Sequence, residues 1–271
     1  MKFQFKINKL ALIRDTFVLN NDYRLKQKNF PFLFWTKLEK QLWEKFKNEP
    51  GYYLINPIHS DWAFKKIYIL AEKKGIEKTF LNIAKTIRKI YKEIINSKEF
   101  KQLFSETQKY KIFVERQWNR NKNFVLSYFK NDLGLKIPNY TITIYIFHPK
   151  SHNGYADCQT KSILWGHPEN WKNYTIVYLA HELLHILTYK KLKDFDVMHA
   201  LIELATDNEL RIRLNKKGKY FIPKQKKQMP LHIKKLFDLE RKIYPYWKEY
   251  LKNRKGRNIF DLEKEIIQKL K

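Results

Sequence analysis

His181-Glu182-Leu183-Leu184-His185 places two imidazoles four residues apart with a carboxylate beside the first. On a helix, positions i and i+4 lie almost above one another, so both imidazoles can hold one metal ion, while Glu182, about 100° further round, leans over the same cleft. The chemistry this spacing implies is zinc-assisted hydrolysis, with Glu182 as the general base. Leu179, Ala180, Leu183, Leu184, Ile186 and Leu187 surround the three polar side chains. Burying two imidazoles and a carboxylate among them is costly unless something satisfies them, and a metal ion does. The structural alternative is a hydrogen-bonded histidine pair inside a core.

A hydrolytic zinc site takes three protein ligands and leaves the fourth position open. The third ligand does not follow in a metzincin continuation, because Thr188 and Lys191 stand where that pattern needs Gly and His. The next segment, His199-Ala200-Leu201-Ile202-Glu203-Leu204-Ala205-Thr206-Asp207, offers Glu203, 18 positions beyond His185, with His199 one turn earlier on the same face. An ordinary solvated helix would use the same residues differently, pairing Asp207 with Arg211 at i,i+4.

His181, Glu182, His185, Glu203 and Asp207 together resemble the gluzincin zinc peptidases, whose HExxH helix is followed by a glutamate helix bearing ExxxD. The resemblance covers residues 139 to 215 and is closest to the small gluzincins. It implies that Glu203 is the third zinc ligand and that Asp207 hydrogen-bonds His181 or His185, fixing the tautomer and strengthening the ligand. Ile202 departs from the Asn that often precedes the ligand Glu. By the same resemblance a Tyr or His stabilises the oxyanion, for which His199 is the first candidate and Tyr178 and Tyr220 the others. The strand before the active helix would pair its edge with an extended substrate, assigning Ser162, Ile163, Leu164 and Trp165 to substrate binding.

These residues need a scaffold. Phe3, Phe5 and Ile7 alternate as a short strand does, and Phe32 to Lys47 has helical spacing that ends at Pro50-Gly51. From Asp61 to Lys130 the apolar stripes are helical. Tyr140 to Phe147 is rich in β-branched and aromatic residues and reads as a strand, and Tyr155 to Trp165 as a second. The HExxH helix is predicted from about Lys172 to Lys190, and a second helix, capped by Asp194 or Asp196, from about Val197 to Leu214. Helical spacing resumes at Leu231 to Leu251 and Ile259 to Leu270. The expected fold class is α+β: a zincin-like core of small sheet, active-site helix and glutamate helix over 136–215, a mostly helical region over 1–135, and a basic loop with C-terminal helices over 216–271.

The chain has 271 residues, ample for a core without staples, and Cys158 is its only cysteine, so no internal disulfide framework exists. A lone thiol, no readable signal peptide and no apolar run of membrane-spanning length lead to the expectation of a soluble cytoplasmic protein. The formal net charge is +28, yet residues 151–200 carry five basic and five acidic side chains, so the excess lies in the flanks. Arg211, Arg213, Lys216, Lys217, Lys219, Lys224, Lys226 and Lys227, with Tyr220 and Phe221 interleaved, could follow a polyanion or nucleic acid. The leading expectation is a zinc endopeptidase acting on a peptide or protein substrate. The alternatives are a metal-containing nucleic-acid-associated protein, or a peptidase kept latent by its segment Pro230 to Lys271.

Overall fold

The computed structural model describes residues 1–13, 75–149, 152–221 and 231–270. The predicted helix from Phe32 to Lys47, its stop at Pro50-Gly51, residues 61–74 of the helical N-terminal stretch, and Lys224, Lys226 and Lys227 lie outside them. Strand β1 (Lys2–Lys6), helices α1 (Ile76–Asn96) and α2 (Lys98–Asn131), strands β2 (Thr141–Ile146), β3 (His152–Asp157) and β4 (Ser162–Gly166) and helix α3 (Tyr174–Thr188) follow in order. Then come α4 (Phe195–Glu203), a π-helical segment (Leu204–Leu210), α5 (Arg211–Asn215), α6 (Leu231–Lys252) and α7 (Ile259–Leu270). The architecture is α+β. No described helix is long and apolar enough to cross a membrane.

Two compact units divide the chain, one of Met1–Phe5, Ile112–Ile144 and Gly154–Lys271, the other of Lys6–Lys111 and Tyr145–Asn153. In the second unit, Ser97 ends α1 and caps α2, its Oγ accepting the Phe100 N–H at 3.2 Å. Glu106 there meets His148 Nε2 at 3.0 Å, and this bond holds the Glu106 carboxyl below its ordinary value.

The sheet order is β1-β2-β4-β3. Sequence periodicity merged Tyr155 to Trp165 into one strand, whereas the chain turns back within it. Asp157 Oδ1 accepts the N–H groups of Gln159 and Thr160 at 3.0 and 3.1 Å, and Lys161 takes φ +54°, closing a tight turn from β3 into an adjacent β4. So short a connection between neighbours makes the pair antiparallel.

Helix α3 is buried round most of its circumference, as its composition requires, and packs on β4 and α4. Its entry is held by Glu169, whose Oε2 accepts the Thr175 N–H and hydroxyl at 3.2 and 2.7 Å. Asp194 caps α4 as predicted, accepting the Val197 N–H at 3.0 Å.

The C-terminal helices are core. Ile243, Trp247, Tyr250, Ile259, Leu262 and Ile266 are fully buried, and α6 and α7 pack on α4. Glu263 of α7 is also fully buried, with Oε1 accepting the N–H groups of Lys193 and Asp194 at 2.6 and 2.9 Å at the start of α4. The described helices of Pro230 to Lys271, the segment raised as an alternative latency cover, thus pack within the unit whose helices carry the site.

Candidate metal centre

His181 and His185 project from one face of α3 with their Nε2 atoms 3.1 Å apart. Two nitrogens on one tetrahedral zinc, each at 2.0–2.1 Å, stand about 3.3 Å apart, so the pair is nearly at ligand spacing. Behind them, His181 Nδ1 meets Asp207 Oδ1 at 3.1 Å, with the Thr206 hydroxyl 3.3 Å from the same nitrogen. Asp207 is buried, and its carboxylate accepts a hydrogen bond from Nδ1–H, leaving Nε2 to face the second imidazole.

Asp207 reaches this position from the π-helical segment. After Glu203 the helix widens by one residue per turn. Asn208 Nδ2 donates to the Glu203 carbonyl at 3.1 Å, and Thr206 Oγ1 to the Ile202 carbonyl at 2.7 Å. Local widening of this kind recurs where a side chain must be re-aimed at a functional site. The alternative i,i+4 pairing is not what forms: Arg211 Nε donates to the Asp207 backbone carbonyl at 2.7 Å, leaving the carboxylate to His181.

Among the described residues, two overlapping groups could hold a metal ion. The ligand atoms of His181, His185 and His199 lie within 4.8 Å of one another, and so do those of His181, Glu203 and Asp207. His199 and Glu203 sit one turn apart on α4, Nε2 to Oε1 at 3.6 Å. The structure thus brings His199 to the histidine pair, and Glu203 to His181 and Asp207.

The electrostatics suit a cation. Burial disfavours charge on His181, but Asp207, then Glu203 and Glu182, outweigh it and raise its pKa to about 10. Burial and the neighbouring positive charge lower His185 to about 3 and His199 to about 4, so both are neutral acceptors near pH 7. In the metal-free protein the His181 imidazolium can donate one proton to Asp207 and the other to His185. A metal ion takes the place of the second. Burial raises the Glu203 carboxyl well above its ordinary value, reinforced by Asp207, which is itself held low by its contacts with His181 and Glu203.

A cavity of about 570 Å³ is lined by Glu182, His185 and His199 on one side and by Tyr155, Ala156 and Asp157 of β3 on another. Burial raises the Glu182 pKa, partly countered by His181 and by a hydrogen bond from the Ala156 backbone N–H. Gly154, at φ +107°, makes room for this carboxylate, since a Cβ there would sit 2.9 Å from Glu182 Oε1.

The strand facing the cavity is β3, which corrects the assignment of Ser162, Ile163, Leu164 and Trp165 to substrate pairing. Those residues form β4, which lies between β2 and β3, so both of its backbone edges face sheet partners. Trp165 is fully buried instead, stacked on Tyr178 at 6.3 Å. Among the described residues, β3 is at one edge of the sheet and β1 at the other.

Of the three proposed oxyanion donors, only His199 lines the cavity. Tyr178 lies between Trp165 and Tyr174, its phenol raised by burial and Asp207. Tyr220 bonds Glu209 and accepts the Trp247 indole N–H at 3.0 Å. The basic run is also partly spoken for. Arg213 is paired with Asp132 at 2.6 Å and Glu209 at 2.7 Å, and the Arg211 guanidinium lies 3.5 Å over Phe221.

Periodicity gave no hint of Glu240. This α6 residue is buried, and its Oε1 has no hydrogen-bond partner among the described residues. Burial and Asp207 raise its pKa to about 8, against the lowering effect of His181. A glutamate on a mixed helical face carries no sequence signal for such a position.

No protein-family model matches this chain, and neither a curated protein nor a solved structure is found to match it.

Proposed function

We propose that the chain is a zinc-dependent peptidase in which α3 and α4 hold the metal and β3 receives the substrate. The observation that carries this reading is the His181–His185 nitrogen pair at 3.1 Å, backed by Asp207 and set beside a cavity into which Glu182 faces. A zinc ion bound there supplies Lewis-acid polarisation of a carbonyl and lowers the pKa of a water molecule.

The chain's own residues supply the rest. Asp207 fixes the His181 tautomer, so that Nε2 offers its lone pair. Glu182, with its raised pKa and its place against the edge strand, takes the proton of the attacking water and returns it to the leaving amine. His199, neutral and exposed to the cavity, donates a hydrogen bond to the developing oxyanion. The β3 strand, at an edge of the described sheet, pairs with an extended peptide backbone.

Glu203, whose carboxylate lies in a group with His181 and Asp207, serves as the third ligand in this scheme, and His199, which lines the cavity, is left to serve the oxyanion. A second arrangement, with His199 as ligand and Glu203 beside it, draws support from the three-histidine group within 4.8 Å. Either leaves one position open.

The test is Glu182→Gln measured against a quenched-fluorescent peptide mixture, with bound zinc measured in parallel. The variant retains zinc and loses hydrolysis; undiminished hydrolysis removes Glu182 as the base.

A further inference from the structure

A second cavity, of about 530 Å³, opens on the other side of the β3–β4 turn. Four lysines line it: Lys136 from the loop before β2, Lys161 from the turn, and Lys190 and Lys191 just past the end of α3. No carboxylate belongs to the lining, and none of the four makes an ion pair among the described residues.

The positions are built. Lys161 Nζ sits 4.3 Å from the centroid of the Tyr140 ring and Lys191 Nζ 5.8 Å from that of Phe260, and both rings belong to the lining. Leu187 and the buried Ile186 contribute apolar surface. The α7 N-terminus faces the same space through Asn258 and Phe260, adding the positive end of a helix dipole. Asp261, in that first turn, has its Oδ2 on the Asn258 N–H at 2.9 Å. Gly134 closes against Asn258 so tightly that a Cβ would come within 2.8 Å of it.

Four ammonium groups around one concavity repel one another, and a ligand carrying several negative charges relieves that repulsion. Its relation to the metal centre narrows the choice of ligand. Cys158 lines both cavities, and the final turn of α3 passes from His185 at one to Ile186 and Leu187 at the other. The cavity at the metal centre differs in charge, lined by Glu182 and Asp157 and, among the described residues, by no lysine or arginine.

We propose that the lysine cavity binds an acidic segment of the peptide substrate, rich in Asp and Glu, while the bond to be cleaved lies in the neighbouring cavity. This rests on the peptidase reading for the word substrate, but not for the ligand class. An acidic peptide is favoured over a nucleic acid because the cavity adjoins a peptide-edge strand, and because Arg211 and Arg213, which would extend a phosphate track, are engaged internally.

The experiment uses the full chain and fluorescence anisotropy with two labelled peptides of equal length, one Asp/Glu-rich and one uncharged, with single-stranded DNA as competitor. The wild type binds the acidic peptide more tightly than the uncharged one, and added salt weakens the preference. Three exposed ion pairs, each contributing a factor of a few, make Lys136→Gln/Lys190→Gln/Lys191→Gln bind the acidic peptide about tenfold more weakly. These lysines are exposed, so the variant keeps the wild-type melting temperature. Equal binding by both proteins overturns the proposal. So does single-stranded DNA that binds more tightly than the peptide and depends on the same lysines, since it makes phosphate the ligand. Lysine-dependent binding of a peptide that zinc-loaded protein never cleaves removes the peptidase reading and leaves the ligand class standing. Cleavage that ignores the lysines does the reverse.

Discussion

Replacing Gly154 by alanine probes how β3, Trp165 and Glu182 are fitted together. At φ +107° a side chain is strained by about 1–2 kcal/mol before any contact is counted. The new Cβ would also lie 3.1 and 3.2 Å from Trp165 ring carbons, and that ring is fully buried with no room to retreat. Overpacking of this kind adds about 1 kcal/mol, giving about 2–3 kcal/mol in all. For a chain of this size that lowers the melting temperature by roughly 5–10 °C. The contact with Glu182 Oε1 behaves differently, because a carboxylate at the end of a flexible side chain moves. From 2.9 Å to ordinary contact at 3.4 Å it must retreat by 0.5 Å. That is the tolerance of a catalytic group, and a loss of roughly tenfold in kcat with unchanged zinc content follows. The assays are a thermal melt and peptide hydrolysis on Gly154→Ala, with the melt repeated in a Glu182→Ala background. The stability loss persists there, because it arises from the backbone and Trp165. An alanine variant that melts within a degree of the wild type refutes the reasoning.

Two further predictions concern buried carboxylates. Asp207→Asn keeps the shape but removes the charge behind His181, so zinc affinity falls about 10- to 100-fold in competition with a chromophoric chelator; an unchanged affinity contradicts the positioning role. Glu240, with its folded pKa raised to about 8, stays protonated at neutral pH while the unfolded chain ionises above about 4.5. Folding therefore takes up a proton, and stability falls as pH rises from about 4.5 through about 8. Glu240→Gln removes that cost, raising the melting temperature of metal-free protein at pH 8 more than at pH 5; an equal rise at both overturns the linkage.

What the residues reveal on their own follows from how local the cause is. Helix α3 was legible because the HExxH spacing and the apolar positions around it are contained in one segment, and Asp194 was legible as a cap because capping reaches only three residues. Asp207 was expected behind a histidine only through its ExxxD resemblance. The π-helical widening that delivers it has no periodic signature, and it depends on Asn208 and Thr206 serving backbone carbonyls. The β3–β4 turn stayed hidden because Lys161 occupies a left-handed position where glycine or asparagine would have announced it. Which strands lie at an edge depends on pairing between distant segments, so Ser162 to Trp165, expected at an edge, sits one strand further in. Glu240 and Glu263 look like ordinary solvated helix residues, and only tertiary packing buries them.

The central claim is that α3 and α4 together hold one zinc ion. It is tested most directly by the metal content of the purified wild type beside His199→Ala and Glu203→Ala, each verified as folded by its melt. The account predicts one zinc per chain in the wild type, retention in His199→Ala and depletion in Glu203→Ala. Depletion in His199→Ala alone exchanges the two roles, and a folded wild-type chain that takes up no zinc when it is supplied contradicts the account.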